Sequence, residues 1–172
     1  MMWARSITTG LVVMGSVAGV LSAMSVPEIP LEQVRDRINA ATMQPIVRVS
    51  DIPQPVLDTL QAHIPAVPGD AKRSLLAEPG DPFNVGCVVD SNLANRRLMV
   101  GAGAAGLWFI LYEHGGIAGH SHLAAIDPIS HSVAALELST KSQGAFHDAP
   151  EFIRAIRAGD FREVGVEKIC RF

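Results

Sequence analysis

The chain has 172 residues, 48% of them apolar, with 14 basic and 17 acidic side chains and a formal net charge of −3. That length and apolar content suit one folded domain with a real core and exclude wholesale disorder. A mildly acidic chain without a basic run lacks the footprint that phosphates or anionic lipid require, so neither nucleic acid nor a membrane surface is expected as a partner.

The first segment reads as an export signal. Arg5 supplies a short positive start, residues 7–21 are uncharged and mostly apolar, and Ala23-Met24-Ser25 places small residues where a signal peptidase reads them. The expectation is a signal peptide over 1–25, cleaved after Ser25 or after Ala23. A single domain over 26–172 then resides in the periplasm or is secreted, with no membrane contact after leader removal. A retained anchor is the alternative, because the uncharged run from Ser6 to Val26 approaches the length of a span. In an oxidising compartment the only two cysteines, Cys87 and Cys170, are expected to form one disulfide. Chain entropy assigns roughly 4 kcal/mol to a loop that long. Two separate buried thiols are the alternative.

From Pro27 to Pro30 the chain is an extended lead-in. Leu31, Val34, Ile38 and Ala41 recur at helical spacing with charged residues between them, which predicts an amphipathic helix over 31–42 stopped by Gln44-Pro45. A brief extended piece comes next over 46–49. Asp51 is placed to cap a second helix over 54–63, with Val56, Leu57, Leu60 and Ile64 on one stripe. Residues 71–77 add one or two helical turns, and the loop over 78–82 divides a helical front (30–77) from a strand-rich back (83–170).

From Phe83 the period changes. Phe83, Val85, Cys87 and Val89 alternate as in a half-buried strand, and Asp90-Ser91-Asn92 has turn chemistry. Strands are predicted over 98–103, 107–113 and 117–126, the last two joined by a tight turn at Gly115-Gly116 because glycine tolerates positive φ. Residues 107–111 are apolar on both faces, which places that strand centrally. A further strand is predicted over 132–138. Asp148 and Glu151 form a capping-box pattern ahead of a helix over 149–158, closed by Gly159, and a last strand is expected over 164–169. The resulting class is α+β: a curved antiparallel sheet of about five strands, with N-terminal helices and one C-terminal helix packed on it. A cystatin-like or similar roll, with helices on one face and the sheet curling on the other, would satisfy the pattern.

Four stretches carry candidate chemistry. Gly101-Ala-Gly-Ala-Ala-Gly106 matches G-x-G-x-x-G, but the apolar run after it ends at Gly115-Gly116, too soon for the crossover helix a dinucleotide site needs; a strand turn is the simpler reading. His120 and His122 alternate on one strand and so present two imidazoles to one face, the donor type zinc takes. A third ligand is required. With a two-residue turn His120 falls opposite Leu111 and His122 opposite Phe109, while His114 lies on the other face with Tyr112 and Ser121. Glu113 then shares the face of His120, and distant His131 or His147 would have to complete the set. Gly119-His-Ser-His-Leu123 half-resembles a nucleophile elbow without its final glycine. The hairpin tip itself, with Tyr112, His114, Gly115, Gly116, His120 and His122, combines a ring, glycines and adaptable polar groups suited to a protein partner. Arg96-Arg97 is read as a solvated strand edge.

With export, one disulfide and no complete catalytic constellation, the expected function is a non-catalytic binding protein that needs no cofactor. An inhibitor or immunity-type partner of a cell-envelope enzyme is one form of it. The alternative is a metal-binding protein or metal-dependent hydrolase using His120 and His122 on zinc.

Overall fold

The computed structural model describes residues 28–40, 42–64, 75–85, 90–104, 106–115, 120–138, 146 and 148–164. The expected leader over 1–25, both cysteines, Gly116 and His147 lie outside the described residues.

The α+β class is as expected. Helix α1 (Leu31–Ala40) is followed by β1 (Gln44–Ile46), a 3-10 turn at Val49–Asp51, and helix α2 (Gln54–His63). Four long strands come next: β2 (Arg96–Ala104), β3 (Leu107–His114), β4 (His120–Asp127) and β5 (Ser132–Leu138). Helix α3 (Ala149–Arg157) and β6 (Phe161–Glu163) complete the described elements. The six strands form one open antiparallel sheet in the order of the chain, β1-β2-β3-β4-β5-β6. None of the described helices is long and apolar enough to cross a membrane.

Both faces of the sheet are covered by helices, where the sequence predicts one. Phe109, Leu111, Leu123 and Ala125 point toward Val34 and Ile38 of α1 and Phe152 and Ile156 of α3. Ile110, Tyr112, Ala124 and Ile126 point the other way, toward Val56 and Leu60 of α2. A central strand that is apolar on both faces requires two covers, and the helical front splits to supply them. Helix α3 is defined by its ends: the Asp148 carboxylate accepts from the Glu151 N–H at 2.7 Å. At the other end Gly159 adopts φ +67, with Gly159 N–H donating to the Ile156 carbonyl and Asp160 N–H to Ala155. Such a left-handed glycine closes a helix at little steric cost.

The glycine run over 101–106 is a hairpin and not a nucleotide loop. Ala104 pairs with Leu107, Gly106 takes φ +74 in the turn, and the chain leaves that turn directly as strand β3. Gly103 leaves room for its cross-strand neighbour: a Cβ there would stand 2.6 Å from the Trp108 ring.

Several expectations are corrected. Residues 83–85 are not a strand; Val85 is 64% exposed and Asn84 only 6%, the reverse of the predicted alternation. Residues 75–77 are not helical, because Ala77 forms a parallel bridge with Arg97 along β2. Asp51 does not cap α2, whose N-cap is Pro53; its carboxylate accepts from the Arg48 N–H at 3.0 Å and so closes the 3-10 turn. Arg96 and Arg97 do not lie on a sheet edge, since β2 runs between β3 on one side and β1 and Ala77 on the other. A described strand, Phe161–Glu163, precedes the one predicted over 164–169, of which residues 165–169 lie outside the described residues; Val164 N–H donates to the Ala135 carbonyl at 2.9 Å.

Candidate functional site

The site begins with a register. His114 pairs with His120, Glu113 with Ser121, Tyr112 with His122 and Leu111 with Leu123, so residues 115–119 lie between the paired ends. The two-residue turn predicted at Gly115-Gly116 is therefore incorrect. Compared with it, the pairing is displaced by an odd number of residues, and in a sheet such a shift exchanges the faces of one strand relative to the other. His114 and Tyr112 thus join His120 and His122 on one face, and Glu113 leaves it.

The glycine at 115 has a different use. It is buried, takes no positive φ, and its N–H donates to the Asn95 carbonyl at 3.1 Å. A Cβ on it would overlap the Asn84 carbonyl oxygen and stand 2.5 Å from the carbonyl carbon. Gly115 is required for close backbone approach and not for a bend. Asn84 in turn is held firmly. Its side-chain amide lies 3.0 Å from the Asp90 carbonyl, 2.9 Å from that of Leu93 and 2.9 Å from the Asn95 side-chain oxygen, and its own oxygen accepts from the Asp90 N–H at 2.8 Å. The loop that includes Asn84 and Asn95 therefore anchors the end of β3 that carries His114.

The rings form one cluster. Ring centres of His120 and His122 are 4.5 Å apart at a steep angle, His114 is 6.0 Å from His120 and 6.4 Å from His122, and Tyr112 is 5.4 Å from His122. They form a gradient of access: His114 is 5% exposed, His122 is half-buried, and His120 is exposed with its neighbour Ser121. Arg96, 2% exposed, is paired with His114 across β2 and shares this face. A bulge at Met99 puts it there, since Leu98 pairs with Tyr112 while Val100 pairs with Leu111. Without that extra residue, regular alternation from Val100 would send Arg96 to the opposite face. Burial pushes the His122 pKa down to about 4, and the charges of His120, His114 and Arg96 add to that shift. His122 is neutral at pH 7.

On the other face Glu113 is committed to Arg97, whose Nε donates to its carboxylate at 3.1 Å while the guanidinium lies 4.6 Å over the Phe83 ring. Glu113 therefore cannot share chemistry with His120, as the predicted register had it. Ser121, paired with Glu113, lies near the start of β4 on that same face and away from the imidazoles. This removes the nucleophile-elbow reading, which needs an exposed strand-to-helix turn. His131 sits at φ +51 in the turn after β4, a full strand length from His120, and cannot complete a set with it. Among the described residues no group of three or more His, Cys, Asp or Glu side chains is arranged around a common metal position.

Of the expected site residues, Tyr112, His114, His120 and His122 are brought together and Gly115 packs beside them. Asn84, Asn95 and Arg96 are site residues that the sequence does not announce. Nothing local marks Arg96, because its facing depends on the bulge. Asn84 carries a weak signal, a polar residue set between the apolar Phe83 and Val85. No family model, curated protein or solved structure matches this chain.

Proposed function

We propose that this chain is an exported, non-catalytic binding protein that meets its partner through the histidine-bearing end of the β3–β4 hairpin. One observation carries the reading: exposed His120 and Ser121 begin a strand whose partner end is locked, through Gly115, against the hydrogen-bonded loop at Asn84. Polar groups held by a rigid scaffold lose little freedom on binding, which favours recognition. Separation of Ser121 from the imidazoles by the sheet favours binding over nucleophilic catalysis. The partner proposed is a cell-envelope enzyme that this end inhibits or neutralises. To test it, a photo-crosslinking residue is placed at Ser121 and, as a control, at Ile129, which is 81% exposed beyond the other end of β4. With EDTA present, envelope extract should yield one enzyme crosslinked from position 121 and not from 129, and the chain should alter that enzyme's activity. Identical adducts from both positions, or none from 121, would overturn the proposal.

A further inference from the structure

We propose that the cavity between α1 and the C-terminal end of α3 binds a short aliphatic monocarboxylate. It lies on the face of the sheet that α1 and α3 cover, whereas Tyr112 and the imidazoles lie on the face that α2 covers. This site is therefore separate from the hairpin end and does not depend on how that end is read. The helical period builds one wall. Arg35 and Asn39, four residues apart on α1, flank Ile38, so an exposed guanidinium and an exposed amide stand over a buried apolar side chain. Ile156 closes the floor from α3, and the chain from Arg157 to Gly159 forms the opposite wall. A Cβ added at Gly159 would meet nothing within 4 Å, so the backbone there borders open space.

Charge selects the ligand. The chain carries a net charge of −3, yet this lining holds two guanidiniums and no carboxylate; Asp36 and Asp160 adjoin it in sequence without lining it. Arg35 forms no ion pair with the described residues. Arg157 already has a partner, but a guanidinium has five N–H donors and keeps others to offer. Guanidinium and carboxylate match through two parallel N–H···O bonds. A bare helix C-terminus would repel an anion. Here the carbonyls of Arg154, Ala155 and Ile156 already accept from the N–H groups of Ala158, Asp160 and Gly159, which offsets that repulsion. Size follows from the cavity volume of about 230 Å³. At roughly 30 Å³ per non-hydrogen atom, water's share of its liquid, it admits about eight such atoms, the size of hexanoate. Ile38 and Ile156 are only 3% and 0% exposed, so the aliphatic tail packs mainly on Ala158 and the methylene stems of the arginines. So small a contact gives an affinity of roughly millimolar order.

The experiment is titration of the isotope-labelled protein with sodium hexanoate, up to about 20 mM, followed by NMR with ionic strength held constant by sodium chloride. Expected are saturable shifts of the Asn39 side-chain amide and of the Ala158 and Gly159 N–H groups, with Ser121 unmoved. Arg35→Gln should weaken hexanoate at least about fivefold through loss of the paired bonds; this variant decides, because Arg35 is exposed and its loss breaks no ion pair. Arg162→Gln, which removes an exposed arginine paired with Glu137 and outside the lining, should bind as wild type does. Hexanol has the tail without the charge and should not bind. A peptide ending in leucine offers the same carboxylate on a body too large for the cavity, and should bind more weakly than hexanoate. Absence of saturable shifts, equal binding by Arg35→Gln and wild type, hexanol as effective as hexanoate, or tighter binding of the peptide would each overturn the proposal.

Discussion

Replacing Gly115 by alanine tests how the site is held together. The new Cβ would overlap the Asn84 carbonyl oxygen, a contact that must open beyond 3.0 Å before the two atoms can coexist. Asn84 cannot retreat without straining its bonds to Asp90, Leu93 and Asn95, and Gly115 cannot without losing its N–H bond to the Asn95 carbonyl. Overpacking of this kind costs about 1–3 kcal/mol, and each hydrogen bond given up adds about 1 kcal/mol. Reduced freedom of the unfolded chain returns about 0.4–1 kcal/mol. The net loss is about 3 kcal/mol, a large share of the stability of an ordinary domain. Urea unfolding should show the midpoint falling by about 1–3 M, given slopes of about 1–3 kcal/mol/M. Gly80→Ala is the control: it sits at φ +85 with nothing within 4 Å of the added Cβ, so it bears only a backbone penalty of about 1–2 kcal/mol. Gly115→Asn sharpens the test, because asparagine tolerates a left-handed turn position but is larger than alanine. If Gly115 served a turn, asparagine would be the milder change; here it should be the worse one. A Gly115→Ala protein within about 0.5 kcal/mol of wild type, or one rescued by asparagine, would refute the close-approach account.

Three further outcomes are expected from the described contacts. The unfolded chain takes up a proton on His122 near pH 6.5 and the folded chain only near 4, so this histidine supports stability above about pH 6.5 and that support is lost as pH falls toward 4. The loss reaches about 3 kcal/mol, and in EDTA a His122→Gln variant should show a correspondingly flatter dependence of unfolding free energy on pH; an unchanged slope would contradict the assignment. Burial acts to raise the Asp127 pKa, but the Arg37 hydrogen bond, at 2.7 Å, and the N–H groups of Ile129 and Ser130 outweigh it and hold the carboxyl below 3.8. Its contribution is thus present above pH 3.8 and disappears as pH drops below; Asp127→Asn should remove that acid-limb dependence and lower stability by about 1–2 kcal/mol in chemical denaturation at pH 7. Phe152, fully buried between α3 and the sheet, should cost about 3–5 kcal/mol on truncation to alanine, whereas a thermal shift under about 3 °C would mean that α3 is not packed on that face.

Helices α1, α2 and α3 are legible in the sequence because their apolar spacing is local and strong, and α2 occupies the residues its pattern predicts, 54–63. The cap at Asp148 and the stop at Gly159 are legible for the same reason: both act within one turn of the chain. Strands β2 to β5 are recognisable from apolar runs bounded by glycine or Asp-Pro. The failures share a cause. Residues 83–85 alternate in hydropathy yet turn Asn84 inward, because its amide satisfies carbonyls six to nine residues away. Arg96 and Arg97 look alike in sequence, but one is buried on the face that carries His114 and the other is paired with Glu113.

What the amino-acid order decided alone was the class: which segments are helical, which are extended, and that one strand needs cover on both sides. Those properties depend on near neighbours and on the periods of helix and strand. Only the tertiary structure decided the pairing of β3 with β4, the bulge at Met99 and the approach of Asn84 to Gly115, and these gather His114, His120 and His122 on one face. Side chains alternate with a period of two, so a register error by an odd number of residues reverses every facing. No local pattern carries that parity; it is fixed by pairing and packing between separate strands and loops, Asn84 against Gly115 among them.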